Sequence, residues 1–261
     1  MDNVLKRGLR KSRLAIRAYR IFKDIIVFPL KFTSFRTLQL RNFPLKDLFN
    51  PDKTSLFKVV SPYTKAGYPR LTNVYDLARK IEEQKLAGSF VECGTWKGGL
   101  CAIMGAMAER YQSGRRTWYL DSFEGMPAPD PKDGHDTSEI EGDVLKASVS
   151  DVEQLIFGKL HLPKERNIIV KGWFEDTIPK IKKDIGPIAI LRMDADWYAA
   201  TKFCLDQLYD QVIPGGYVIF DDFPRWEGCR KAIEEFLNER KLKPTFQFVG
   251  NYGGRVMYFK K

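Results

Sequence analysis

Phe90-Val91-Glu92-Cys93-Gly94-Thr95-Trp96-Lys97-Gly98-Gly99 is the stretch whose reading decides the fold. The apolar run at 89–93 reads as a buried strand, and a helical stretch over 98–111 follows at once. Glycine between them lets the backbone turn tightly and approach a ligand closely. In open α/β sheets, ligands lie beyond the carboxyl ends of the strands. The spacing is G-x-x-x-G-G, not the G-x-G-x-x-G that cradles a pyrophosphate, which disfavours a nicotinamide oxidoreductase. Glu92 is a poor neighbour for phosphates and a suitable one for a cationic sulfonium cofactor bearing an amino group.

The punctuation on either side is regular. Further apolar runs at 117–121, 167–171, 188–193 and 216–220 read as buried parallel strands. They alternate with helical stretches near 151–160, 175–183, 198–212 and 227–240. That alternation predicts an α/β fold with a doubly wound sheet. Thr245–Val249 and Arg255–Phe259 read as a terminal hairpin that adds an antiparallel strand. Upstream, a helix is expected over 70–86 with Gly88 as its stop. The segment 31–60 reads as irregular or partly helical, with Pro44 and Pro51 as breakers.

Acids stand at the ends of these strands. Thr117-Trp118-Tyr119-Leu120-Asp121 ends in a carboxylate placed to hold ribose hydroxyls, with Ser122-Phe123 beside the adenosine. The strand at 188–193 delivers Asp194-Ala195-Asp196, and the strand at 216–220 delivers Asp221-Asp222. Four uncompensated carboxylates at one sheet edge call for a cation, and hard oxygen ligands favour Mg²⁺ or Ca²⁺, with Mn²⁺ as an alternative. Such an ion would bind a substrate hydroxyl and lower its pKa. The candidate general bases are Asp194, Asp196 and His135. His135 lies in a polar loop, Pro127–Asp143, read as a lid, although a lone loop histidine is more often just exposed.

Five segments taken together resemble the macrocin/mycinamicin (TylF-like) O-methyltransferase family. They are the stretch 90–99; Leu120-Asp121-Ser122-Phe123-Glu124-Gly125-Met126-Pro127; Lys171-Gly172-Trp173-Phe174-Glu175-Asp176-Thr177; Leu191-Arg192-Met193-Asp194-Ala195-Asp196-Trp197-Tyr198; and Pro214-Gly215-Gly216-Tyr217-Val218-Ile219-Phe220-Asp221-Asp222. The resemblance implies a seven-stranded class I methyltransferase (Rossmann-like) sheet, S-adenosyl-L-methionine as cofactor, a Mg²⁺ site and transfer to a sugar hydroxyl. It further implies cofactor contacts at Glu92, Gly94, Asp121 and Ser122, with Trp173 and Phe174 beside the cofactor; Thr95, Trp96, Gly98, Gly99, Phe123, Gly172 and Asp194 complete the expected cofactor set. The implied metal ligands are Asp196, Asp221 and Asp222, with Asp194 as ligand or base. Ala195 stands where the antibiotic enzymes commonly have glycine. The alternatives in function are a phenolic or nucleic-acid acceptor, or a non-catalytic scaffold that binds the cofactor.

The net charge of +10 is unevenly placed. Residues 1–60 hold 14 Lys/Arg against 4 Asp/Glu, whereas residues 61–261 hold 29 of each. The expected organisation is therefore a basic N-terminal extension over 1–60 and a methyltransferase domain over 61–261. Within the extension, residues 4–28 form a basic amphipathic pattern with Leu5, Leu9, Ile16, Tyr19, Phe22 and Ile26 on one face. That face suits an anionic membrane surface, the domain itself or a homodimer partner. A lipid-linked or cell-envelope glycan would be reached from a membrane surface, whereas the balanced charge of residues 61–261 argues against nucleic acid. No apolar run is long enough to span a bilayer, so an uncleaved cytoplasmic chain is expected, peripheral to the inner face of a membrane if the helix binds there. Cys93, Cys101, Cys204 and Cys229 show no metal or disulfide spacing and read as free thiols.

Overall fold

The computed structural model describes residues 47, 49–129, 131–134, 145–223, 225–249 and 256–261. The amphipathic pattern at 4–28, most of the Pro127–Asp143 loop and His135 lie outside them. The described strands form one seven-stranded sheet in the order β3-β2-β1-β4-β5-β7-β6. The parallel strands are β1 (Ser89–Cys93), β2 (Thr117–Asp121), β3 (Asn167–Lys171), β4 (Ile188–Met193) and β5 (Val212–Phe220). The terminal hairpin of β6 (Gln247–Val249) and β7 (Val256–Lys260) joins antiparallel, with β7 on β5.

Helices cover both faces. On one side lie α1 (Pro51–Val60), α2 (Tyr68–Glu83), α3 (Gly99–Arg110) and α4 (Val149–Glu153), the last running into a π-helical turn over Gln154–Lys159. Phe57, Leu71, Ile81, Met104 and Leu155 pack there on Phe90, Ile190 and Ile219. On the other side lie α5 (Phe174–Ile185), α6 (Tyr198–Leu208) and α7 (Glu227–Glu239). Ile178, Leu205 and Ile233 pack there on Val91, Leu191 and Val218. Strands buried on both faces explain why these segments read as continuous apolar runs.

Three expectations change in detail. Pro51 does not break a helix but opens α1 at its first turn, where its missing N–H costs nothing, and Asn50 caps that turn by accepting from Lys53 N–H at 3.1 Å. Phe57 and Val60 of this helix are fully buried. Helix α2 stops before Gly88, because Lys85 itself takes the left-handed conformation at φ +52°. The helix expected to 212 ends at Leu208, and Val212 already pairs with Ile188 as the first residue of β5.

Register positions the site. Cys93 pairs with Leu120 on one side and Met193 on the other, and Met193 pairs with Phe220. The residues next in sequence, Asp121, Gly94, Asp194 and Asp221, therefore leave the sheet side by side at its carboxyl edge.

Candidate active site

A cavity of about 400 Å³ opens at that edge, within the usual range for a small-molecule site. Its floor is the β1–α3 turn. Gly94 has φ +85°, and a Cβ there would fall 1.9 Å from the carbonyl oxygen of Asp194. Only glycine allows the two strand ends to approach this closely. Asp121 braces the turn from β2: Trp96 N–H donates to its Oδ2 at 2.7 Å and Phe123 N–H to its Oδ1 at 2.8 Å. Burial raises the Asp121 pKa, while those backbone donors pull it down.

Most of the expected cofactor residues line this cavity: Glu92, Gly94, Thr95 and Trp96 from the first turn, Asp121 and Ser122 from β2, Gly172, Trp173 and Phe174 from the start of α5, and Asp194. Gly98, Gly99 and Phe123 do not. Gly98 caps α3 at φ +81°, beside Val152. Gly99 packs against the backbone of Tyr63, where a Cβ would lie 2.6 Å from its carbonyl oxygen. Phe123 is buried in the apolar core. Gly98 and Gly99 thus pack the turn against Val152 and Tyr63.

The acids are brought together as expected, but they are not uncompensated. Arg192, at 1 % exposure, occupies the sheet interior as the penultimate residue of the otherwise apolar strand β4. Its guanidinium donates to Glu92, to Asp194 Oδ2 at 2.8 Å and to Asp221 Oδ1 at 2.5 Å. Arg70, from the first turn of α2, meets the other oxygen of Asp221 at 2.5 Å. Sequence reasoning missed both arginines. The signal for Arg192 was a lone cation inside a buried run ending in acids; Arg70 left none.

Among the described residues, Asp194, Asp221 and Asp222 each bring one ligand atom within 4.8 Å of the others. Asp196 is not in that group. It sits at φ +55°, and its Oδ1 accepts from Trp226 Nε1 at 2.9 Å. Burial and the neighbouring Asp194 charge lift Asp196 to about 7. Burial also raises Asp194, but Arg192 outweighs it and leaves that carboxyl below its ordinary value. Asp222 is pushed well up by burial and by the charges of Asp196, Asp194 and Asp221. Burial raises Glu92 above its ordinary value, against the opposing pull of Arg192. Two carboxylate oxygens here, Glu92 Oε2 and Asp222 Oδ2, are buried without a hydrogen-bond partner.

All four cysteines are buried free thiols, and no described helix is long and apolar enough to cross a membrane.

Known proteins share this architecture. The chain is 34% identical over 179 residues to demethyldecarbamoylnovobiocin O-methyltransferase of Streptomyces niveus, covering 67% of each chain. It is 31% identical over 183 residues to 8-demethyl-8-(2,3-dimethoxy-alpha-L-rhamnosyl)-tetracenomycin-C 4'-O-methyltransferase of Streptomyces olivaceus, again over 67% of each. The structure of the O-methyltransferase NovP superposes with a TM-score of 0.68 at 29% identity, covering 76% of this chain and 82% of that one. The macrocin O-methyltransferase (TylF) family model matches residues 54–261, from the middle of α1 through the last strand, so the chain belongs to that family of enzymes.

Proposed function

We propose that the chain transfers a methyl group from S-adenosyl-L-methionine to a hydroxyl of a sugar or glycosylated small molecule, with Mg²⁺ held by Asp194, Asp221 and Asp222. One observation carries the reading. Carboxylates from four adjacent strands line a single cavity, and two of their buried oxygens, Glu92 Oε2 and Asp222 Oδ2, have no partner. Buried polar atoms are usually satisfied, so two such oxygens on carboxylates that line one cavity fit a site that a ligand completes.

The residues suit both groups. Glu92 Oε2 and the equally unpartnered Thr95 Oγ1 offer acceptors to an amino group. Asp121 stands where ribose hydroxyls would donate, while Ser122, Trp173 and Phe174 wall the adenosine side. The three aspartates supply an all-oxygen set that a hard divalent cation prefers. When bound, the cofactor supplies an electrophilic methyl group and the cation a Lewis acid for the acceptor hydroxyl.

The chain's own residues then orient the acceptor and move its proton. Asp196 is the better base of the three candidates. It lines the cavity, is held by Trp226, and has an affinity for protons near neutrality. Asp194 is locked to Arg192 below its ordinary pKa, a poor state for proton uptake. His135 remains a third candidate from the loop outside the described residues. Holding the hydroxyl in line with the methyl group supplies much of the acceleration.

A rhamnosyl group named in one relative's acceptor supports a glycosylated substrate. The basic segment 1–60 supports a second choice of acceptor, a glycan presented at an anionic membrane surface. The discriminating assay follows label from methyl-labelled cofactor into a glycosylated acceptor and into its phenolic aglycone, with and without EDTA. Labelling of the sugar, abolished by EDTA, is expected; labelling confined to the phenol, or indifferent to EDTA, contradicts the reading.

A further inference from the structure

We propose that Arg70 is the displaceable counter-ion of the metal site, so that it sets cation affinity by competing for Asp221. The inference rests on the reading of Asp194, Asp221 and Asp222 as metal ligands, and goes beyond it by assigning a role to a residue of α2.

Asp221 is met by two arginines that are not equivalent. Arg192 is 1 % exposed, belongs to a central strand and holds three carboxylates at once. Withdrawing it would strand several buried charges, which makes it a fixed part of the site. Arg70 stands at the rim. Its side chain is 19% exposed, it lines the cavity wall, and the carboxylate it meets is Asp221, at 2.5 Å. A long arginine side chain at such a position can turn towards solvent without leaving a buried cation behind.

The occupancy of Asp221 makes this matter. Arg192 takes Oδ1 and Arg70 meets Oδ2, so both oxygens are engaged by cations. The neighbouring Asp222 Oδ2, in contrast, is buried and meets no cation among the described residues. A divalent ion seated among the three aspartates needs an oxygen of Asp221, and Arg70 is the partner able to yield it. Until then, Arg70 neutralises part of the charge of three close carboxylates, and its own charge opposes the incoming ion.

A supporting or merely structural residue would weaken metal binding when removed; a competitor would strengthen it. The sign of the effect is therefore the test. Mn²⁺ and Mg²⁺ would be titrated calorimetrically into the full chain as wild type, Arg70→Met and Arg70→Lys, with Asp222→Ala to identify heat from this site. Arg70→Met is expected to bind Mn²⁺ on the order of tenfold more tightly. Its thermal midpoint should also rise further on adding metal than the wild-type midpoint does. Arg70→Lys, which keeps the charge but loses the planar fork, should fall between the two. Should Arg70→Met not fold, Arg70→Lys against wild type gives the same sign test. Unchanged or weaker binding by a folded Arg70 variant overturns the inference and leaves the metal reading intact. If wild type binds neither ion, the metal reading fails and this inference with it.

Discussion

Glu92 and Arg192 face each other directly across β1 and β4, and their side chains form a buried ion pair beneath the cavity. The same guanidinium reaches Asp194 and Asp221, so one cation ties the end of β1 to the two acid-bearing strand tips. Removing it leaves three acids without their shared partner. Arg192→Met should cost about 3–5 kcal/mol, the usual penalty for uncompensated buried charge. Urea unfolding followed by far-UV circular dichroism measures this directly, and a near-neutral result would show that the network is dispensable.

Gly94 admits no side chain. A methyl group would overlap the Asp194 carbonyl, and the residue would be held at φ +85°. Gly94→Ala should therefore force β1 and β4 apart at their tips, weakening cofactor binding far more than Gly114→Ala, whose added Cβ meets nothing within 4 Å although its φ is also positive. Equal effects of the two substitutions on S-adenosylhomocysteine affinity would contradict the close-approach argument.

Activity should depend on pH through Asp196. A base works only when deprotonated, and burial together with the Asp194 charge places this carboxyl at about 7. The rate should therefore rise with pH and level off above the Asp196 pKa, which a divalent cation held beside Asp194 draws below that value. Trp226→Phe removes a donor that favours the carboxylate, which moves the midpoint to higher pH. Asp196→Asn should slow turnover about 10²–10⁴-fold while leaving cofactor binding in place. A flat pH profile in the wild type would remove Asp196 from the role of base.

Asp222→Ala should abolish metal-dependent turnover yet still bind S-adenosylhomocysteine, because Asp222 lies on the acid cluster and not on the β1–α3 turn. Calorimetry and a turnover assay on the same preparation separate the two properties. Full activity of wild type in EDTA would refute the metal assignment on its own.

The parts of this architecture that sequence could reveal are those with local causes. Strands β1, β2 and β4 show as short apolar runs because both of their faces are covered, and their tips are marked by Gly94, Asp121 and Asp194. Close approach and charge need particular residue types at those points. Other features depend on tertiary partners. Arg70 reaches Asp221 across 151 positions of sequence, and no spacing announces such a pair. Gly98 and Gly99 sit in the same motif as Gly94, yet they serve packing against Val152 and Tyr63, which the motif alone does not distinguish from ligand contact. Asp196 shares its segment with Asp194 but turns to Trp226, a residue contributed from beyond the next strand.

The most direct test is calorimetric titration of the folded chain with S-adenosylhomocysteine, in the presence and absence of Mg²⁺. Saturable one-site binding in the micromolar range, lost in a Glu92→Ala variant that remains folded, is the predicted result. No binding under either condition would contradict the account at its centre, because the cavity would then not be a cofactor site.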